Sequence, residues 1–147
     1  MLVQDAMSRE VRTVSPETSI KEAARIMAAA DIGALPVAAG DRLAGMVTDR
    51  DIAVRGVAIG KGPECTVGEV MTHDVLYCHE DEDLGLIAMN MAETQVRRLP
   101  VVDVDKRLVG IISLADIADA RAAEAGEALE GITRPGGERS QTIEGRA

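Results

Sequence analysis

A chain of 147 residues with a formal net charge of −9 is long enough to bury its own core, and its acidity argues against gripping nucleic acid, which takes blocks of Lys and Arg to neutralise phosphates. Tyr77 is the only aromatic residue, so the core must be built from Val, Ile, Leu, Met and Ala, and any bound base must be held without ring stacking. No stretch approaches the roughly 20 apolar residues of a membrane span, the N-terminus MLVQDAMSRE has no basic region leading into an apolar run, and two cysteines, Cys65 and Cys78, are too few for a disulfide framework, so the cytoplasm is the expected compartment.

The first element in chain order is an extended stretch at residues 11–14. Ser15-Pro16-Glu17 then turns the chain into an amphipathic helix with Ile20, Ala23, Ala24 and Met27 on one face, the 3.6-residue period. Two short strands follow, residues 34–38 and 43–48, joined by a hairpin at Gly40-Asp41, and a second helix begins at Asp49. Gly56, Gly60, Gly62 and Pro63 mark a link, after which the same order starts again. Residues 75–78 are extended and His79-Glu80-Asp81 turns the chain. A helix then presents Leu84, Ile87, Ala88 and Met91 on one face and Leu86 with Met89 on another. A helix apolar on two faces usually packs against two things, so a subunit interface is expected there. Strands at residues 99–102 and 108–113 flank a turn at Asp105-Lys106. The last helix runs from Leu114 to about Glu130, and residues 131–147 read as a disordered tail.

The recurring order is a duplication. Shifted by 64 residues, Met7 falls on Met71, Val11 on Val75, Met27 on Met91, and Leu35-Pro36-Val37 on Leu99-Pro100-Val101. One extra residue near Val104 moves the offset to 65, which places Gly45 on Gly110 and Asp51-Ile52-Ala53 on Asp116-Ile117-Ala118. The chain therefore divides into residues 1–62 and 63–130, each reading strand, helix, strand, strand, helix.

Both copies end their last strand on one pattern, Gly45-Met46-Val47-Thr48-Asp49-Arg50-Asp51 and Gly110-Ile111-Ile112-Ser113-Leu114-Ala115-Asp116. A hydroxyl three residues before an acid at a helix start is a capping box, and that role alone explains the residue types. Helix starts also attract anions, because their unsatisfied N–H groups point outward. A carboxylate one turn in can accept both hydroxyls of a ribose. The residues allow either role.

The duplicated unit, the Leu-Pro-Val strand and the Gly-h-h-Thr/Ser-x-x-Asp ending (h, apolar) resemble the CBS family over roughly residues 2–125, and the run IGALPV…GMVTDRDIAVRG is similar to small stand-alone bacterial members. The resemblance implies an α+β fold in which two CBS repeats pack as a pseudo-twofold Bateman module with two clefts between them. It implies binding of AMP, ADP, ATP, NAD or S-adenosylmethionine, with Asp51 and Asp116 on ribose hydroxyls and Thr48 and Ser113 on phosphate or sugar. Ile32, Gly33, Met46 and Ile111 would line the adenine pocket through backbone groups and aliphatic walls. Arg97 and Arg98 match a position where the family places basic residues toward phosphate, and a solvated strand end is the competing account of them. The first copy has Gly33-Ala34 there and no charge, so unequal clefts are expected.

No catalytic grouping stands out, no cofactor is required, and Cys65, His73, Cys78 and His79 lack the paired spacing of a structural zinc site. The expectation is a homodimeric regulatory module that senses an adenosine-containing nucleotide and signals to a protein effector in trans, with no nucleic-acid or membrane partner. The rivals are a ligand-free interaction or structural protein and a metal or redox stress protein.

Overall fold

The computed structural model describes residues 1–133, so the expected disordered tail lies outside the described residues from position 134 onward. The first repeat begins with a single helical turn, α1 (Val3–Ala6), and reaches α2 (Ile20–Ala30) after an irregular stretch. The Ser19 hydroxyl caps α2 by accepting the Glu22 N–H at 3.1 Å, which satisfies one orphan donor of the first turn. Ile20, Ala23 and Met27 are buried, while Ala24 stays exposed on the edge of the expected apolar face. Strands β1 (Ala34–Ala39) and β2 (Arg42–Thr48) pair antiparallel through the Gly40 turn.

The second helix of this repeat begins at Asp49 as expected but does not stay α-helical. α3 (Asp49–Asp51) widens at once into a π turn over Ile52–Gly56 and a 3₁₀ turn over Val57–Ile59, closed by Gly60 in the left-handed region. Gly56 is buried, and a Cβ there would meet the Ile20 Cδ1 at 3.2 Å, so the π turn seats against α2 where only a glycine fits without adjustment.

The second repeat follows the same plan with a better-formed ending. Another single turn, α4 (Val67–Val70), leads to β3 (Cys78–His79), α5 (Leu84–Thr94), β4 (Arg98–Val102), β5 (Leu108–Ser113) and α6 (Leu114–Thr133), the last running past the expected end at Glu130. β3 runs parallel to β4, and β4 is antiparallel to β5. Of the two stretches expected to be extended strands, only their ends pair: Val14 bridges Val37, and Cys78–His79 bridge Val101 and Val102.

Two apolar clusters hold the chain, one per sheet, and they do not follow sequence order. Val67, Val70 and Met71 of α4 and its end are buried in the first repeat's cluster, among Ile20, Leu35 and Val47. Val3 of α1 is fully buried in the second repeat's cluster, among Leu84, Ile87 and Ile112. Each such side chain contributes roughly 1.5–3 kcal/mol by leaving water, so the exchange of short turns ties the repeats together. The hairpin tips add a direct link: the Leu108 N–H donates to the Asp41 carbonyl at 2.9 Å, and Arg107 Nε lies 3.0 Å from Asp41 Oδ2.

Candidate functional site

The functional candidates sit where the exchanged segments meet the strand ends. α2 and α5 both end on a non-glycine residue in the left-handed region, Asp31 at φ 55° and Gln95 at φ 58°. That turn lets the Ile32 and Val96 N–H groups bond back to the Met27 and Met91 carbonyls at 3.0 and 3.1 Å, and it delivers Gly33 and Arg97 beside the next helix starts. The Gly33 carbonyl accepts the Asp49 N–H at 2.9 Å, and the Arg97 carbonyl accepts the Leu114 N–H at 3.0 Å.

Both helix starts close as reciprocal boxes. The Thr48 N–H donates to Asp51 Oδ2 at 3.0 Å while Thr48 Oγ1 accepts the Asp51 N–H at 3.0 Å. The Ser113 N–H donates to Asp116 Oδ2 at 3.0 Å, and Ser113 Oγ accepts the Asp116 N–H at 3.1 Å. In the first repeat the Arg50 N–H is also taken, by Asp49 Oδ1 at 2.8 Å. All three first-turn donors of α3 are thus satisfied within the protein. An anion near α3 would have to be held by side chains.

The Asp51 side chain is only 14% exposed, and its second oxygen lies 3.9 Å from Arg55 Nε. One carboxylate oxygen of each box is committed to its own backbone, which leaves the other as the acceptor for anything external. The Thr48 and Ser113 hydroxyls accept from their helices and retain a proton to donate.

The segments after α1 and α4 cross over to the opposite repeat. Ser8 and Ile111 exchange two backbone hydrogen bonds of 2.9 Å, and Thr72 and Met46 exchange bonds of 3.0 and 2.8 Å. The N–H groups of Met46 and Ile111 are therefore committed to the crossing segments, and each carbonyl already accepts one hydrogen bond, which leaves it one lone pair.

Two clefts result, related by the internal symmetry. The larger, about 390 Å3, brings Met46 and Thr48 of the first repeat against Arg97, Arg98 and Val96 of the second, with Thr72, Asp74, Val75 and Leu76 from the crossing segment. The smaller, about 200 Å3, brings Ile111 of the second repeat against Ile32 of the first, with Glu10, Val11 and Arg12 from the other crossing segment. Ala34 and Arg98 border both. Gly33, Asp51, Ser113 and Asp116 do not form the walls of either cleft, because the capping boxes hold the acids against their own helix starts. Space over Gly33 is occupied by the Asp49 carboxylate, whose Oδ2 would lie 3.0 Å from an added Cβ.

The clefts differ in size more than in charge. Arg97, Arg98 and Asp74 face the larger, and Arg12, Arg98 and Glu10 face the smaller, two cations and one anion in each case. The expectation of unequal clefts rested on the uncharged Gly33-Ala34 and did not include Arg12, because Leu76 stands at the matching place in the other copy. Glu10 and Asp74 are the other residues missed, although an acid at both matched positions was the available signal.

Residues 3–56 and 67–123 match the CBS domain model. The chain belongs to the CBS domain family. Crystal structures of CBS pairs share its architecture. Hypoxic response protein I, solved with two coordinated zinc ions, is 40% identical with a TM-score of 0.73, covering 81% of this chain and 98% of that one. The CBS domain pair of protein MJ0100, in complex with 5′-methylthioadenosine and S-adenosyl-L-methionine, is 34% identical with a TM-score of 0.71, over 84% and 98%. CBSX2 in complex with AMP is 30% identical with a TM-score of 0.76, over 84% and 97%. The mixed helix-and-strand fold of two CBS repeats is the Bateman architecture expected from the sequence.

Among the described residues of this CBS pair, no three His, Cys, Asp or Glu side chains gather as a metal site. Cys78 is buried on β3 beside β4, and His79 pairs with Glu82 at 3.5 Å and meets the Tyr77 ring edge-on. No described helix is long and apolar enough to cross a membrane.

Proposed function

We propose that this protein is a regulatory module that takes an adenosine-containing nucleotide (AMP, ADP, ATP, NAD or S-adenosylmethionine) between its CBS repeats. It acts by binding, not by catalysis. The carrying observation is the larger cleft, whose volume falls within the range of small-molecule sites. Met46, Val75 and Val96 give aliphatic walls suited to a purine in a chain without Phe or Trp, and Thr48, Arg97 and Arg98 supply a hydroxyl and two guanidiniums for sugar and phosphate. Asp51 and Asp116, set back from the cleft walls, each keep one carboxylate oxygen outside the box as the candidate acceptor for a ribose hydroxyl. Family members crystallised with AMP and with S-adenosyl-L-methionine support the ligand class.

The residue ranges 1–62 and 63–130 serve as the two repeats of this sensor. The working form is a homodimer in the cytoplasm that signals to a protein effector in trans. Exposed Leu86 and Met89 on α5 mark the surface for the second copy.

Calorimetry with AMP, ATP, NAD and S-adenosylmethionine tests the reading. Saturable binding of at least one of them, lost on Arg97→Ala with Arg98→Ala, is the expected result. Heats no larger than dilution for all four would overturn it. The complete closure of both capping boxes favours one rival, a ligand-free interaction module in which Thr48 and Ser113 only cap helices. That rival predicts the second outcome.

A further inference from the structure

Each cleft has one arginine of its own, Arg97 in the larger and Arg12 in the smaller, and the two clefts have Arg98 in common. We infer that Arg98 is a single phosphate clamp shared by the two clefts, so that phosphate bound in one weakens phosphate binding in the other. The inference rests on the nucleotide-binding reading above and adds its regulation.

The placement follows from the duplication. Arg98 is the first residue of β4 and pairs with Ser113, as Ala34 is the first of β1 and pairs with Thr48. These two positions lie where the repeats meet, which is why both border both clefts. Only one of them carries a charge. None of the ion pairs among the described residues involves Arg12, Arg97 or Arg98, so no carboxylate holds the Arg98 side chain toward either side. An arginine fork grips one phosphate bidentately and points in one direction while it does so. The larger cleft, with more room and an adjacent Arg97, captures the fork first. A phosphate arriving in the smaller cleft then meets Arg12 alone, beside the Glu10 carboxylate. A hydrogen bond to a charged group is worth enough that losing it costs roughly tenfold in affinity. Binding is reciprocal, so the same factor applies in either order.

Methyl NMR of the full chain during AMP titration tests this, because Met46 lines only the larger cleft and Ile111 only the smaller. The Met46 methyl is expected to saturate first, with the Ile111 midpoint roughly tenfold or more higher. Leu76→Glu places a carboxylate at an exposed wall position of the larger cleft alone. It should weaken AMP there and move the Ile111 midpoint down, since Arg98 is released. With Arg98→Ala added, Leu76→Glu should no longer move Ile111. Adenosine, which has no phosphate, should give midpoints indifferent to Arg98→Ala. Coincident Met46 and Ile111 midpoints, or an Ile111 midpoint unmoved by Leu76→Glu, would overturn the shared clamp while leaving nucleotide binding intact. Silence of both methyls toward AMP and adenosine would remove the nucleotide reading itself, and the clamp with it.

Discussion

The Ser8 carbonyl lies 2.8 Å from the point where a Cβ on Gly110 would sit, and Met7 Sδ lies 2.6 Å from it. The glycine that opens the family motif is thus required by the crossing segment from the other repeat. The Thr72 carbonyl crowds Gly45 in the same way. Because the carbonyl at Gly110 is held by a backbone hydrogen bond to Ile111, it has little freedom to withdraw. Gly110→Ala is expected to destabilise the fold by about 1–3 kcal/mol through overpacking. Urea denaturation checks this, and an unchanged midpoint would mean the segment yields without cost.

Much of this arrangement was readable from residue order alone, and the unreadable part has a physical cause. The helix faces at Ile20, Ala23 and Met27 and at Leu84, Ile87 and Met91 repeat with helical period, so α2, α5 and the hairpins emerged directly. The four-residue turns α1 and α4 are too short for a period to show, and nothing local to Val3 or Val67 says that it enters the other repeat's core. The Gly-h-h-Thr/Ser-x-x-Asp pattern gave no sign of the division of labour among its residues. Gly45 and Gly110 admit the crossing strand, Thr48 and Met46 reach a cleft wall, and Asp51 and Asp116 tie off helices. Arg12 stayed invisible because a charge without a counterpart in the second copy looks like ordinary surface.

Thr48 and Ser113 make equivalent capping bonds, yet only Thr48 borders a cleft. Thr48→Ala and Ser113→Ala should each cost about 1 kcal/mol of stability. Only Thr48→Ala should also weaken AMP, by roughly tenfold if its hydroxyl donates to the phosphate or sugar. Paired urea melts and calorimetry separate the two effects. Equal loss of AMP affinity in both variants would show that the caps act on the ligand through fold stability alone.

Burial pushes the Cys78 thiol up to about 12, with the nearby Glu82 charge adding to the effect. In the unfolded chain the thiol ionises near its ordinary value of 9.0. Between these limits the folded state binds the extra proton, so stability from this group is complete below about pH 9 and is lost as pH rises toward 12. Chemical denaturation across that window should therefore fall more steeply for the wild type than for Cys78→Ala. Native protein at pH 8 should also label with a thiol reagent at Cys65, which is partly exposed, well before Cys78. Parallel pH profiles for the two proteins would contradict the assignment.

Leu86 and Met89 are each 60% exposed, and Met89 lines a groove of about 370 Å3 between α5 and α6 together with Leu114, which is 42% exposed. Ala88, Ala92 and Ala118 keep the groove floor shallow and apolar, so it has the shape for another helix to lie in. The matching face of the first repeat carries three cations, Lys21, Arg25 and Lys61, around its own groove, against Arg121 alone beside the α5–α6 groove. A twofold contact brings the same patch of each copy together, so one apolar residue at its centre is used twice. Leu86→Lys with Met89→Lys would bury charge against charge in such a contact, while in an isolated chain both side chains would extend into water and leave the fold intact. Native mass spectrometry is expected to give twice the chain mass for the wild type and the single chain mass for the double variant, with unchanged thermal unfolding of the monomer. A wild type that runs as a single chain at tens of micromolar would show that α5 and α6 serve another partner.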